Sequence, residues 1–145
     1  MIRQGATTRL TAAATPRPGT DAEYRPGVCN IGPAEIARRR RAGLVGTVVA
    51  VGLLLLLVFI HAPTPLRLLV FLPAAGAASG YLQAIFRFCA GFGARGVFNF
   101  GEIGRTDAVR DPEARARDRA MAARIGLASA LVGAVAAILA VLLPI

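Results

Sequence analysis

The chain has 145 residues, of which 55% are hydrophobic, and its formal net charge is +9. All 17 basic residues are arginines, set against 8 acidic ones, and these charges are crowded between long uncharged stretches. Such a distribution excludes an ordinary soluble domain, because too little polar sequence is left to cover the uncharged stretches in water.

Three stretches are long enough to cross a bilayer. Residues 42–60, 68–86 and 125–143 contain no Asp, Glu, Lys or Arg. A membrane-spanning helix needs ~20 consecutive, mostly apolar residues. The sequence therefore predicts an all-α integral membrane protein with three transmembrane helices in a small bundle.

The N-terminal part of the chain differs in composition from the rest. Residues 1–28 are rich in Thr, Ala, Pro and Gly and have no apolar period, which predicts a disordered cytoplasmic tail. Residues 29–145 form the predicted membrane domain. Gly32 and Pro33 suit the N-cap and first position of a helix that runs to Ile60.

The arginines predict the orientation of the three spans. They lie before the first span and in the loop 87–124, whereas the loop 61–67 holds only Arg67. The positive-inside rule then places the N-terminus and the loop 87–124 in the cytoplasm and the C-terminus outside. We expect a multi-pass protein of the inner (plasma) membrane, and the Arg, Ala and Gly bias suggests a GC-rich bacterial genome.

The same arginines indicate which partners to expect. Because they flank apolar helices, anionic lipid head groups on the inner face are the expected partner, at about 1 kcal/mol per nearby arginine. Nucleic acid is not expected.

Local signals predict the shape of the other elements. Thr64 is a candidate N-cap before Pro65, and Pro73 should kink the second span. Residues 91–104 alternate Gly and Phe, which predicts an interfacial loop with no helix. Their GxGxxG spacing lacks the preceding strand that a dinucleotide site requires.

The third helix has a clear predicted start. Asp111 and Pro112 suit the N-cap and first position of a rod that continues through the membrane to about residue 143. Two acid-then-base pairs at i, i+4 should support its first turns, and these are Asp111 with Arg115 and Glu113 with Arg117.

Small residues recur on the predicted spans at helical spacing. Gly76 and Gly80 form a GxxxG pattern on the second span, and Ser129 and Gly133 lie four residues apart on the third. Small residues let helices approach closely. These faces exceed what three helices need for themselves, so we expect a homo-oligomer or a partner membrane protein.

One polar stripe is predicted on the second span. Ser79, Gln83 and Arg87 follow at i, i+4 and i+8. An amide in a membrane is costly without a partner, so the plainer interpretation is that Gln83 bonds another helix. The alternative is a polar path or a ligand contact at the cytoplasmic end.

The reactive residues form no catalytic set in the sequence. Cys29 and Cys89 are both predicted cytoplasmic and reduced, and His61 lies on the opposite face. A zinc site needs three or four ligands, so no metal or cofactor is expected, and the thiols are interpreted as buried groups. Shared metal or redox chemistry of the two thiols is the alternative.

These observations favour a non-enzymatic function. The leading hypothesis is an accessory or scaffold subunit that packs through its small-residue helix faces. The first alternative is an oligomeric transporter or channel component with the polar stripe on its second span. The second is a cytoplasmic-face thiol or metal protein.

Overall fold

The computed structural model of the chain describes residues 23–144. Residues 1–22, most of the predicted tail, lie outside the described residues. The described chain is mostly helical, and three of its helical stretches are long and apolar enough to cross a membrane. These are Pro33–Phe59, Thr64–Ile85 and Pro112–Leu142.

The first helix, α1 (Pro33–Phe59), begins where the sequence predicts. Gly32 is its N-cap, Pro33 stands at its first position and Glu35 lies in its first turn. Ile31, fully buried before the N-cap, packs with Ile36 in one apolar cluster. This contact fixes the direction in which the chain enters the helix.

The second apolar stretch changes helix type along its length. A 3-10 helix (Thr64–Val70) with Pro63 as its N-cap precedes the α-helix α2 (Phe71–Ile85). Thr64 is therefore the first helical residue, not the N-cap. Pro73, which the sequence predicts to kink the span, is the third residue of α2, directly after the change from 3-10 helix to α-helix. A proline in the first turn leaves the rest of the helix uninterrupted.

The Gly and Phe segment contains more structure than predicted. It forms a short helix, α3 (Ala90–Arg95), and a strand, β1 (Val97–Phe98), which pairs antiparallel with β2 (Asp107–Ala108). The prediction of no helix here is wrong. The short helix is stabilised by close packing on its neighbours, which Gly93 permits because it has no side chain. A Cβ on Gly93 would lie 2.7 Å from the Phe88 ring and 2.9 Å from the Asp118 carbonyl oxygen.

The last helix, α4 (Pro112–Leu142), is the single rod that the sequence predicts. Asp111 caps it by accepting hydrogen bonds from the backbone N–H groups of Glu113 (3.3 Å) and Ala114 (3.0 Å). The Glu113–Arg117 ion pair is present at 3.8 Å. The prediction of an ion pair between Asp111 and Arg115 is wrong, because Arg115 Nε donates instead to the Val109 carbonyl oxygen at 2.6 Å.

α2 packs against both α1 and α4. Glycines permit both contacts: a Cβ on Gly80 would lie 2.5 Å from the Gly43 backbone nitrogen of α1, and one on Gly133 of α4 would lie 2.7 Å from the Ala75 Cβ. Backbone-to-backbone approach of this kind needs residues without side chains. The three helices therefore meet along α2.

The end of the molecule near residues 61–67 is held by Arg67. This arginine is only 3% exposed, and its Nη1 donates to the carbonyl oxygens of Ala140 (3.4 Å) and Leu143 (3.0 Å). These carbonyls lie at the C-terminus of α4, where they lack helical partners and where a positive charge is favourable. A small apolar cluster that includes Leu57 and Val70 packs beside them.

The glycine contacts give a direct prediction for stability. Gly80→Ala should destabilise the protein by about 1–3 kcal/mol, because the new Cβ meets backbone atoms that cannot move alone. Gly76→Ala is the matched control, since nothing lies within 4 Å of its Cβ position. Thermal unfolding in detergent measures both, and equal melting temperatures for the two variants would contradict this packing.

Candidate functional site

Most of the buried polar side chains of the described chain lie at one end of the molecule. We call residues 24–32 and 86–118 the polar end. Asn30, Glu35, Asn99 and Asp118 are each at most 2% exposed in or next to it. Burying such groups is costly unless they are hydrogen-bonded. Their partners therefore show what the polar end is built to do.

Asn30 lies at the centre of the polar end. Its side chain pairs with both backbone groups of Cys89: Asn30 Nδ2 donates to the Cys89 carbonyl oxygen at 3.1 Å, and the Cys89 N–H donates to Asn30 Oδ1 at 2.6 Å. Its own N–H donates to the Arg87 carbonyl oxygen, and its carbonyl oxygen accepts from the Asn99 N–H. Asn30 thus joins the chain before α1 to the turn after α2 and to β1.

Asn99 continues this network towards the following loop. Its side-chain oxygen accepts from the Gly101 N–H at 2.9 Å, and its Nδ2 donates to the Glu102 carbonyl oxygen at 3.0 Å. Its carbonyl oxygen accepts from the Gly32 N–H at 2.8 Å, directly before α1. The side chains of both asparagines therefore supply hydrogen bonds to backbone groups that have no partner within a regular helix or strand.

Gln83 connects α2 to α3. Its amide oxygen accepts from the Ala90 N–H at 3.0 Å, and its Nε2 donates to Ser79 Oγ at 2.8 Å. Gln83 is 6% exposed, so the amide is buried and engaged at both ends. It stabilises the N-terminus of α3, a role that the sequence did not indicate.

The predicted polar stripe is interrupted at Arg87. α2 ends at Ile85, and Arg87 lies in the following turn with φ +52, exposed to the surroundings. Its left-handed backbone reverses the chain so that Cys89 can reach Asn30. Ser79 and Gln83 are hydrogen-bonded to each other, whereas Arg87 lies beyond the end of α2 and is not part of the same helix face.

Charged side chains of α1 lie beside Cys89. Arg39 Nη2 is 2.8 Å from Cys89 Sγ, and the almost fully buried Glu35 lies 3.8 Å from Arg39 and 3.6 Å from Arg38. Glu35 Oε2 and Arg39 Nε make no hydrogen bond within the part of the chain that the structure describes. A buried charge is tolerated only when it is paired, which explains why both arginines surround Glu35.

The two cysteines are free and buried. Cys29 Sγ contacts the Ile31 carbonyl oxygen at 3.9 Å, whereas Cys89 packs with Ile31 and Phe92 and contacts Arg39. Within residues 23–144, no three His, Cys, Asp or Glu side chains come together in a group that could hold a metal ion. His61 is exposed in the turn after α1.

The end of the predicted tail is folded onto α4. Residues 25–29 form a turn, Tyr24 Oη donates to Asp118 Oδ2 at 2.9 Å, and the Gly27 N–H donates to Asp118 Oδ1 at 2.7 Å. Burial and the Asp118 carboxylate raise the pKa of Tyr24 above its usual value. The part of the predicted tail that the structure describes, from residue 23 onward, therefore packs on α4.

The small residues named from the sequence have different environments. Gly80 and Gly133 lie at helix contacts, as described above, and nothing lies within 4 Å of the Cβ position of Gly76. Ser129 is buried, and its hydroxyl donates to the Ile125 carbonyl oxygen of its own helix at 2.7 Å. The GxxxG pattern thus has one inward and one open glycine.

Sequence reasoning missed Asn30, Asn99 and Asp118. The only signal for Asn30 in the sequence was its place two residues before Gly32, at the predicted start of the first helix. Its partners are 57 or more residues away along the chain (Arg87 minus Asn30), so no local pattern could reveal them.

Comparisons with protein-family models, with curated proteins and with solved structures found no match to this chain. What the polar end can do therefore follows from its own geometry. Its buried amides and carboxylate fasten chain segments together, and its arginines form most of its charged surface.

Removing the Asn30 side chain should loosen the polar end. Asn30→Ala leaves the Cys89 N–H and carbonyl unpaired, at a cost of roughly 1–3 kcal/mol for each group. Trypsin should then cleave after Arg87 and Arg95 faster than in the unmodified protein. Glu102→Ala, at an exposed position, is the control, and equal cleavage of both variants would refute the role of Asn30.

Proposed function

We propose that the protein is a three-span membrane protein and that it acts as a non-enzymatic accessory or scaffold subunit. Its three long helices would form a transmembrane bundle that carries the polar end on the cytoplasmic surface of the inner membrane. The observation that supports a scaffold most is that the buried polar side chains of the polar end bond backbone groups. They stabilise a shape and leave few polar groups free to act on a substrate.

The exposed apolar surface supports the membrane location. Only 11% of the apolar window of α1 and 28% of that of α4 is buried inside the chain. Phe59, for example, is 81% exposed. An exposed apolar surface of this extent needs lipid or another protein to cover it. In lipid the helices satisfy their own backbone groups, which is the condition for spanning.

The distribution of solvent-exposed arginines supports the proposed orientation. Arg67, the only arginine in residues 42–86, is buried against the C-terminus of α4. The exposed arginines of the described chain lie at the polar end and on the adjoining parts of α1 and α4. Anionic head groups of the inner leaflet would therefore meet almost all of the accessible positive charge.

The two alternatives receive less support. A polar path along α2 would need Gln83 to face it, but both ends of this amide are occupied by Ser79 and Ala90. Thiol chemistry would need access to Cys89, which is 2% exposed. The contact between Arg39 and Cys89 Sγ is the one feature in favour of the thiol hypothesis.

Cysteine labelling in intact cells tests the orientation. Thr64 and Thr106 are exposed at opposite ends of the helices. We expect an impermeant maleimide to label Thr64→Cys in intact cells, and Thr106→Cys only after the membrane is opened. The unmodified chain, whose cysteines are buried, gives the background. The reverse pattern would contradict the orientation, and extraction of the protein by alkaline carbonate would contradict the spans.

The open glycine of α2 tests the scaffold role. Gly76→Leu should weaken association with a second copy or a partner helix, because the added side chain prevents close approach at an uncovered face. Gly52→Leu on α1 is the matched control, since its Cβ position is equally open. Light scattering of the detergent-purified protein measures the assembly. A complex that is unchanged by Gly76→Leu would exclude this face.

A flux assay separates the scaffold from the transporter. We expect no flux of ions or solutes from liposomes that contain the purified protein. Flux that Gln83→Leu abolishes would contradict the scaffold proposal and favour the transport alternative.

A further inference from the structure

A cleft lies between the turn 25–29 and α4, next to the predicted membrane surface. Its volume is about 240 Å³, far more than the ~10–15 Å³ that one water needs. The lining residues come from the turn and from one face of α4, and they are Pro26, Gly27, Arg117, Ala120, Met121 and Arg124. We propose that this cleft binds the head group of one anionic phospholipid, with Arg124 on the lipid phosphate; this rests on the proposed membrane location.

The walls of the cleft are fixed by contacts that are independent of any ligand. The lining residues of α4 follow at i, i+3, i+4 and i+7, so they share one face of the helix. Gly27 has φ +70, and a Cβ there would lie 3.2 Å from the Arg117 Cβ. Asp118 holds the Gly27 N–H at 2.7 Å, so the turn cannot lift from α4 without losing this bond.

The charges of the cleft favour an anion. Arg124 is exposed and has no ion-pair partner among residues 23–144. Arg117 contacts Glu113 at 3.8 Å, but both side chains are mostly exposed, so this pair is weak and easily exchanged. The Asp118 carboxylate is fully buried, and each of its oxygens accepts a hydrogen bond, from Tyr24 or from Gly27.

The depth of the two arginines matches a phospholipid better than a free ion. Arg124 is the last charged residue before the uncharged stretch 125–143, which places it at the level where lipid phosphates lie. Arg117 is seven residues earlier, about 10 Å farther from the bilayer along the helix axis. The planar guanidinium of Arg124 would donate hydrogen bonds to the phosphate, and the outer part of the head group would extend towards Arg117.

Native mass spectrometry of delipidated protein in a nonionic detergent tests the site. The probes are phosphatidylglycerol, phosphatidylcholine and inorganic phosphate, each titrated separately. We expect one phosphatidylglycerol to bind tightly, and Arg124→Gln to weaken it by about tenfold, the loss of one charge-assisted contact. Arg119→Gln is the control, because Arg119 is exposed on the same helix and does not line the cleft.

Several results would overturn the proposal. These are equal binding of phosphatidylglycerol and phosphatidylcholine, equal losses in Arg124→Gln and Arg119→Gln, or saturation by inorganic phosphate with no preference for the lipid. The last result would assign the cleft to a free phosphate. Carbonate extraction and cysteine labelling of the Arg124→Gln variant separate this outcome from failure of the membrane proposal. The exposed Arg124 is not needed for membrane insertion or for orientation, so both results should match those of the unmodified protein.

Discussion

Asn30 uses its backbone and its side chain together to bind segments that are far apart in the chain. Two of its hydrogen bonds hold Cys89, one holds Arg87 and one holds Asn99. The chain has to turn sharply where α2 ends, and a turn exposes backbone groups that need partners. Asn30, two residues before the N-cap of α1, supplies these partners. The placement of α3, β1 and the start of α1 depends on this contact.

The rest of the polar end is arranged around that constraint. Gln83 fastens α3 from the side of α2, and Asp118 fastens the turn 25–29 from the side of α4. At the other end of the helices, Arg67 binds the last carbonyls of α4 in the same manner. Buried polar side chains thus join the ends of the helices, while glycines such as Gly80 allow close contact between them.

This division of labour is the reason for favouring a scaffold. Groups that could carry chemistry, such as Gln83 and Asp118, are already hydrogen-bonded to the backbone. The groups that face outward are arginines at the polar end and apolar side chains along the helices. Such a surface can bind lipid head groups, lipid chains and other helices, and these are the interactions that we propose.

The sequence predicted the features that depend on neighbouring residues. Runs without charge gave the three long helices, and Gly32, Pro33 and Asp111 gave two of their starts, because capping acts within a few residues. The sequence-based predictions failed where the local structure depends on contacts between residues that are far apart in the chain. α3 forms in a Gly-rich segment because Gly93 packs on α4, and the Asn30 contacts join residues 57 or more positions apart (Arg87 minus Asn30). The sequence predicts that Gln83 bonds another helix, but its partner Ala90 lies beyond a turn for which the sequence has no signal.

Hydrogen exchange of the protein in lipid nanodiscs tests the central claim most directly, because it reports on single backbone amides. The amides of Cys89, Ala90 and Asn99 lie outside helix interiors, yet each donates to a buried oxygen. The account expects them to exchange as slowly as amides in the middle of α2. Exchange as fast as that of the exposed residues 102–106 would contradict it, and with it the Asn30-centred polar end.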